Sequence, residues 1–180
     1  MTTIVINLFG AAGSGKSTTA MGLTFYLRLL GYKTEYVTEY AKDLVNEGSF
    51  NKLKRQLYVF AKQLKRMEVV ADKGLDFIVT DSPIFLSLFY GQKYDTAGPM
   101  LKELVCSYHN TFINYNVFLE RAVSYDPLLR VQSEEESDQD SEDLKDFLKK
   151  HSVVLNAVTT SEELNVKALA DTIHKTIQQG

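Results

Sequence analysis

The eight residues from Gly10 to Ser17, GAAGSGKS, fit the pattern G-x-x-x-x-G-K-[ST] and stand between two segments of different periodicity. Ahead of them Ile4-Val5-Ile6-Asn7-Leu8-Phe9 is an apolar run of buried-strand length. Behind them Thr18 to Leu30 reads as a helix, with Gly31 placed to close it. A strand that passes into a helix through such a loop is a phosphate-binding P-loop. Glycines at 10, 13 and 15 let the backbone curl and aim several N–H groups into one concavity, at the positive end of the helix dipole. The expected phosphate-binding set is Gly13, Ser14, Gly15, Lys16, Ser17 and Thr18. Lys16 would neutralise the β- and γ-phosphates of ATP, and the Ser17 hydroxyl would ligate Mg²⁺.

The rest of the chain repeats the strand–helix alternation. Thr34 to Glu39 reads as a second strand, Tyr40 to Asn46 as a short helix, and residues 51–72 as one long amphipathic helix with Leu53, Leu57, Phe60, Leu64 and Met67 as its buried stripe. Its other face carries Lys54, Arg55, Lys62, Lys65 and Arg66, with Gln56 and Gln63 as a stripe of their own. That face is either solvated or the rim of a site for an anionic substrate. Phe77 to Asp81 is a third strand, Ile84 to Tyr90 and Met100 to Asn110 are helices, and Tyr115 to Leu119 is the fourth strand. Residues 152–157 are expected as the last strand, and a final helix from Ser161 carries Leu164, Val166, Leu169, Ile173 and Ile177.

Five strands alternating with helices specify an α/β fold, a doubly wound five-stranded parallel sheet of the P-loop NTPase kind. In such a sheet the ligand crevice lies at the carboxyl ends of the strands. Glu39 and Asp81 both fall there, beside the P-loop. Four apolar or β-branched residues followed by Asp81 make a Walker B strand, in which the carboxylate organises Mg²⁺. Glu39 is placed to act as a base on an acceptor hydroxyl. Arg121 and Arg130 flank the polar turn Tyr125-Asp126-Pro127, and a helical lid at about residues 121–145 could bring both guanidinium groups onto the phosphates.

At 180 residues the chain is long enough for one such domain, covering 1–180, and too short for two. Its net charge is −3, yet residues 134–143, EEESDQDSED, hold seven acids and no base, which leaves the remainder at +4. A mildly basic remainder suits a polyanionic ligand without being the strong patch that announces nucleic-acid binding. The single Cys106 excludes an internal disulfide and a multi-cysteine metal site. It stands apart from His109, His151 and His174, and all four are expected to be structural or surface residues. No apolar run approaches the roughly 20 residues that cross a bilayer. Nothing at the N-terminus reads as a signal peptide, so a cytoplasmic location is expected.

VTEYAKDL at 37–44, QLYVFAKQLKRM at 56–67, VTDSP at 79–83 and FLERAVSYDPLLR at 118–130 resemble the small P-loop kinases related to the NadR ribosylnicotinamide-kinase domain, above all the single-domain forms encoded by tailed phages. The resemblance runs over essentially the whole chain. It implies ATP on the P-loop, Mg²⁺ on Ser17 and Asp81, substrate or base work by Glu39, and lid arginines at Arg121 and Arg130. Leu129 stands where the family's lid turn more often has glycine. The acceptors that the family implies are a nucleoside, a nucleotide, or 5-hydroxymethyluracil within phage DNA, which would be modified in the host cytoplasm. Against this kinase stand two alternatives: a regulatory NTPase that switches shape on a protein partner, and a nucleic-acid-binding module with a vestigial P-loop. The intact Lys16, Ser17 and Asp81 speak against the last.

Overall fold

The computed structural model describes residues 3–94, 96, 98–121, 133–160 and 165–178. Strand β1 (Ile4–Phe9) enters the P-loop and helix α1 (Lys16–Leu29); β2 (Thr34–Val37) follows, then α2 (Tyr40–Asn46), α3 (Phe50–Leu53) and α4 (Gln56–Ala71). Strand β3 (Phe77–Thr80) leads to α5 (Leu86–Lys93) and α6 (Pro99–His109), and β4 (Ile113–Glu120) leads towards α7 (Glu134–Lys150). Strand β5 (Ala157–Thr160) and α8 (Val166–Gln178) complete the order.

The strands form one sheet in the order β2-β3-β1-β4-β5, with every described pairing parallel. Parallel strands need helical crossovers, so helices cover both faces and the strands are buried from both sides. Side chains alternate accordingly. Ile6, Leu8, Phe77, Val79, Val117 and Leu119 face α1 and α8, while Val5, Phe9, Ile78 and Phe118 face α4 to α7. β1 lies between β3 and β4, so the chain winds outward both ways from it. The crevice at that switch point is where the P-loop emerges.

One polar residue interrupts β1. Asn7 is almost fully buried, and its amide donates to Asn114 Oδ1 (2.8 Å) and Asn116 Oδ1 (2.9 Å) on β4. Asn116 in turn donates from its side chain to the Val154 carbonyl (2.9 Å) and from its backbone N–H to Asn156 Oδ1 (2.7 Å). Each of these buried polar groups is thereby satisfied, and the ladder stitches the approach to β5 onto β4.

Two elements differ from the sequence reading. The helix expected over 51–72 is two helices, α3 and α4, separated at Lys54-Arg55. The break survives because the carbonyls that it frees find side-chain donors: Gln56 Nε2 donates to Leu53 O (2.8 Å) and Thr96 Oγ1 to Lys54 O (3.0 Å). It also rotates the buried face, so that Leu57 is 56% exposed while Gln56 and Gln63 are buried. The last strand is Ala157–Thr160 rather than 152–157. Val153 and Leu155 alternate because they pack against the α4–α7 core, and the backbone joins β4 through Asn156 N, which donates to Asn116 O (2.8 Å), before the paired strand opens at Ala157.

The acidic run opens α7, as expected, for a local reason. Ser133 and Glu136 form a reciprocal capping box, with Glu136 N donating to Ser133 Oγ (3.2 Å) and Ser133 N to Glu136 Oε2 (2.9 Å). Glu134, Glu135 and Glu136 occupy the first turn, where the helix dipole favours negative charge. Leu144, Phe147 and Leu148 then anchor the helix in the core. Arg130 and the Tyr125-Asp126-Pro127 turn lie outside the described residues, as do the start of the final helix at Ser161 and Leu164.

Candidate active site

The P-loop is built as its glycines require. Gly10, Gly13 and Gly15 have φ of 144°, 79° and 83°, in a region that L side chains rarely enter. At Gly10 there is also no room, since a Cβ would sit 2.5 Å from the Leu119 carbonyl and 2.6 Å from Ser14 Oγ. Gly15 is the N-cap of α1, and the first intrahelical bond runs from Thr19 N to Gly15 O (2.9 Å). The amides of Lys16, Ser17 and Thr18 precede that bond, in the positions that a helix start presents to an anion. Lys16 Nζ donates to the carbonyls of Gly10 (2.8 Å) and Ala11 (2.7 Å), across the mouth of the loop. Ser14 Oγ is buried and has no hydrogen-bond partner among the described residues.

Asp81 follows β3 directly and its side chain is fully buried. Its Oδ2 accepts from Ser17 Oγ (2.6 Å), Tyr36 Oη (2.7 Å) and Lys42 Nζ (3.1 Å). Burial first, and the Asp81 carboxylate second, push the Tyr36 hydroxyl well above the usual tyrosine range, which keeps it a donor. Asp81 Oδ1 is buried and has no hydrogen-bond partner among the described residues. An orphaned carboxylate oxygen beside the P-loop serine is the donor set that a hard, oxygen-seeking cation takes, with phosphate and water filling its other positions. Ser17 and Asp81 therefore fit Mg²⁺, which when bound would neutralise charge on a phosphate held by the P-loop.

Glu39 lies two residues beyond β2, at the N-cap of α2, with its Oε2 3.8 Å from Lys42 Nζ. Its backbone is held from α4. Gln63 Oε1 accepts from Tyr40 N (2.8 Å) and Gln63 Nε2 donates to Thr38 O (3.2 Å). Arg66 adds bonds to Thr38 O and Thr38 Oγ1 (both 3.1 Å), pairs with Asp43 and covers the Tyr40 ring at 5.1 Å. Of the face that the sequence left as either solvated or the rim of a site, Arg66 and Gln63 thus turn to the Glu39 segment, and Gln56 lines a cavity beside it.

Between these groups lies a cavity of about 320 Å³, bounded by Gly10 and Lys16 on one side, Glu39 and Lys42 on another, and Gln56 and Tyr90 among its further lining residues. Tyr90 stacks on Tyr94 with ring centroids 6.1 Å apart, and burial raises the Tyr90 hydroxyl far above its ordinary range. A polar mouth, an acid and an aromatic wall make a pocket for a ligand with a planar part and a hydroxyl.

Arg121 ends β4. Its Nη1 pairs with Glu134 Oε1 at 2.7 Å and its Nη2 pairs with Asp138, both on the first turns of α7, and the Asp138 bond is the main reason that its guanidinium is held above its ordinary range. The same helix touches the P-loop, where Ser137 Oγ donates to Ala12 O (2.7 Å). The structure thus brings Lys16, Ser17, Asp81 and Glu39 together around one crevice and sets Arg121 at its α7 side. Lys42 and Tyr36 were missed by sequence reasoning. The spacing of Glu39 and Lys42, i to i+3 on a helix, was the available signal for the first. Tyr36 carried none beyond its place in β2.

A family model described as an AAA domain matches residues 5–163. No curated protein matches the chain. Among solved structures it is similar to thymidylate kinase from Ehrlichia chaffeensis, with a TM-score of 0.63 at 16% identity over 98% of this chain and all of that one. It is also similar to NadR in a complex with NR, with a TM-score of 0.62 at 14% identity over 96% of this chain and 50% of that one. Shikimate kinase from Bacteroides thetaiotaomicron superposes with a TM-score of 0.52 at 13% identity over 97% and 98% of the two chains. The chain spans half the length of NadR and essentially all of the other two. At these identities the likeness is one of fold. Because the family match covers most of the sequence, this protein belongs to the AAA domain family and carries the α/β P-loop NTPase fold.

Proposed function

We propose that this protein is an ATP-dependent kinase that transfers the γ-phosphoryl group to a hydroxyl of a nucleoside, a nucleotide or a modified base, with 5-hydroxymethyluracil in phage DNA as one such acceptor. The observation that carries this reading is the cavity shared by Lys16 and Glu39, which puts an acid and a phosphate-binding loop on two walls of one pocket. Phosphoryl transfer asks the protein for positioning and charge more than for covalent chemistry. The P-loop amides and Lys16 would hold the donor phosphates, Ser17 and Asp81 would hold Mg²⁺, and Glu39 would take the proton of the acceptor hydroxyl. Arg121 would stabilise the transferring group from the α7 side, and Arg130 would do so from the expected lid. Kinases among the similar folds support the class of reaction. The exposed bases Lys54, Arg55, Lys62 and Lys65, which form no ion pair among the described residues, support an anionic acceptor.

The test is a labelled-ATP transfer screen against nucleosides, nucleoside monophosphates, ribosylnicotinamide and DNA containing 5-hydroxymethyluracil. Transfer to one class, with little hydrolysis until that acceptor is added, is the expected result. Lys16→Ala should lower transfer by at least about 10²–10³-fold, the loss typical of deleting one charge-stabilising group. Brisk hydrolysis without any acceptor, stimulated by a protein partner, would instead identify a regulatory NTPase.

A further inference from the structure

Three oxygens converge on one ammonium group at the floor of the crevice. Lys42 Nζ bonds Ser17 Oγ at short range, lies 3.1 Å from Asp81 Oδ2 and 3.8 Å from Glu39 Oε2, and reaches them from the first turns of α2. Ser17 and Asp81 are the residues that fit Mg²⁺. We propose that Lys42 is a resident counter-ion that competes with the divalent metal for the Ser17–Asp81 oxygens, and that the metal, on binding, drives its ammonium onto the cavity wall, where it meets the anionic acceptor or the transferring phosphoryl group. The proposal deepens the metal half of the proposed reaction and rests on it.

The electrostatics require a cation at this point. Asp81 is fully buried, and its other two donors, Ser17 and Tyr36, are neutral hydroxyls. A buried carboxylate with only neutral donors is costly, and an ammonium at hydrogen-bond distance offsets that cost. The metal would take Ser17 Oγ and the second Asp81 oxygen, Oδ1, while the ammonium holds Ser17 Oγ and Oδ2, so the two cations would share one oxygen and one carboxylate, and like charges a few ångströms apart repel. Binding of one therefore expels the other.

Lysine suits an occupant that must leave. Its charge is a compact point on a flexible stem of four carbons, unlike the planar guanidinium fork that Arg66 uses to lock Thr38 and Asp43 in place. The Lys42 side chain is 43% exposed, so it can swing without breaking core packing. It already lines the cavity that Lys16 and Glu39 share. Swinging by a rotamer step takes the charge from the metal oxygens towards the acceptor. The arrival of metal and the appearance of a second cation in the pocket are then one event.

The competition is measured directly with nucleotide-free protein and Mn²⁺ as the probe, reading free Mn²⁺ by electron paramagnetic resonance. Lys42→Met keeps the stem and removes the charge. It should bind Mn²⁺ about tenfold or more tightly than the wild type, and Lys42→Gln should do the same. The gain should disappear in Lys42→Met/Asp81→Asn, which places it at Asp81. In EDTA, Lys42→Met should melt below the wild type, and the deficit should close as Mg²⁺ is added. Unchanged or weaker Mn²⁺ binding by both Lys42 variants overturns the proposal, as does a gain that survives Asp81→Asn. A purely structural role for Lys42 would lower the melting temperature without tightening the metal. None of these readings needs an acceptor, so failure of the kinase screen and failure of the metal competition are separate results.

Discussion

Asp81 concentrates the chemistry of the crevice on one carboxylate, and Glu39 stands apart from it for a physical reason. Asp81 Oδ2 is saturated by Ser17, Tyr36 and Lys42, whereas Glu39 lines the open cavity at the start of α2. A carboxylate oxygen that accepts from three donors is a poor proton acceptor, whereas the Glu39 carboxylate, 3.8 Å from Lys42 Nζ, lines the pocket that an acceptor hydroxyl would enter. Glu39→Gln should therefore retain ATP binding and lose about 10²–10⁴-fold in kcat, the usual contribution of a positioned general base. Equilibrium ATP binding measured beside single-turnover transfer checks this, and lost ATP affinity would mark Glu39 as a metal residue instead. Both acids were placed at the crevice from the sequence because each follows closely on a strand, Asp81 directly after β3 and Glu39 two residues beyond β2, and parallel topology carries strand ends to one edge. Lys42 and Tyr36 were not, because what gives them a role is distance in space to Asp81, which lies 39 and 45 positions away along the chain.

At the scale of elements, α4 is the brace of the site. Its register was hard to read because apolar spacing alone joins Leu53 and Leu57 into one stripe, and only the break at Lys54-Arg55 separates them. Once the break is made, Gln63 turns inward and holds the backbone on both sides of Glu39 through Thr38 O and Tyr40 N. A buried amide at a position flanked by lysines resembles a surface residue in any hydropathy pattern. Gln63→Leu keeps the volume roughly constant and takes from Tyr40 N–H its acceptor, while Thr38 O keeps its bond from Arg66, at a cost of about 1–3 kcal/mol for a buried unsatisfied group. The expected outcome is a lower urea midpoint together with a fall in kcat, while ATP affinity stays near the wild-type value because the P-loop lies on another element. A variant that loses stability but keeps full turnover would show that Glu39 is positioned without α4.

For the molecule as a whole, the five-stranded parallel sheet and its helical layers followed from the alternation of apolar runs with amphipathic segments, whereas the strand order came from the structure, and β5 starts later than expected because Val153 and Leu155 pack into the α4–α7 core. That core also holds a device for pH sensitivity. Phe85 lies 5.1 Å from His109 and 5.8 Å from His151, and Phe147 lies 4.4 Å from His151, so the rings tie α5, α6 and α7 together. Burial lowers the pKa of His109, and burial followed by the charges of Lys102 and Lys150 lowers that of His151. A histidine held neutral by the fold, with an unfolded value near 6.5, is fully compatible with folding above that pH. As pH falls below about 6.5 the unfolded chain binds protons that the fold refuses, so stability drops until the lower folded values are passed. Urea midpoints should therefore fall between about pH 7 and pH 5, ahead of the carboxylates, which titrate near 4. The double variant His109→Asn/His151→Asn should show a shallower fall over the same interval, even if its midpoint at pH 7 is lower. Parallel slopes in the two proteins would assign the acid sensitivity to other groups and leave the ring cluster a matter of packing alone.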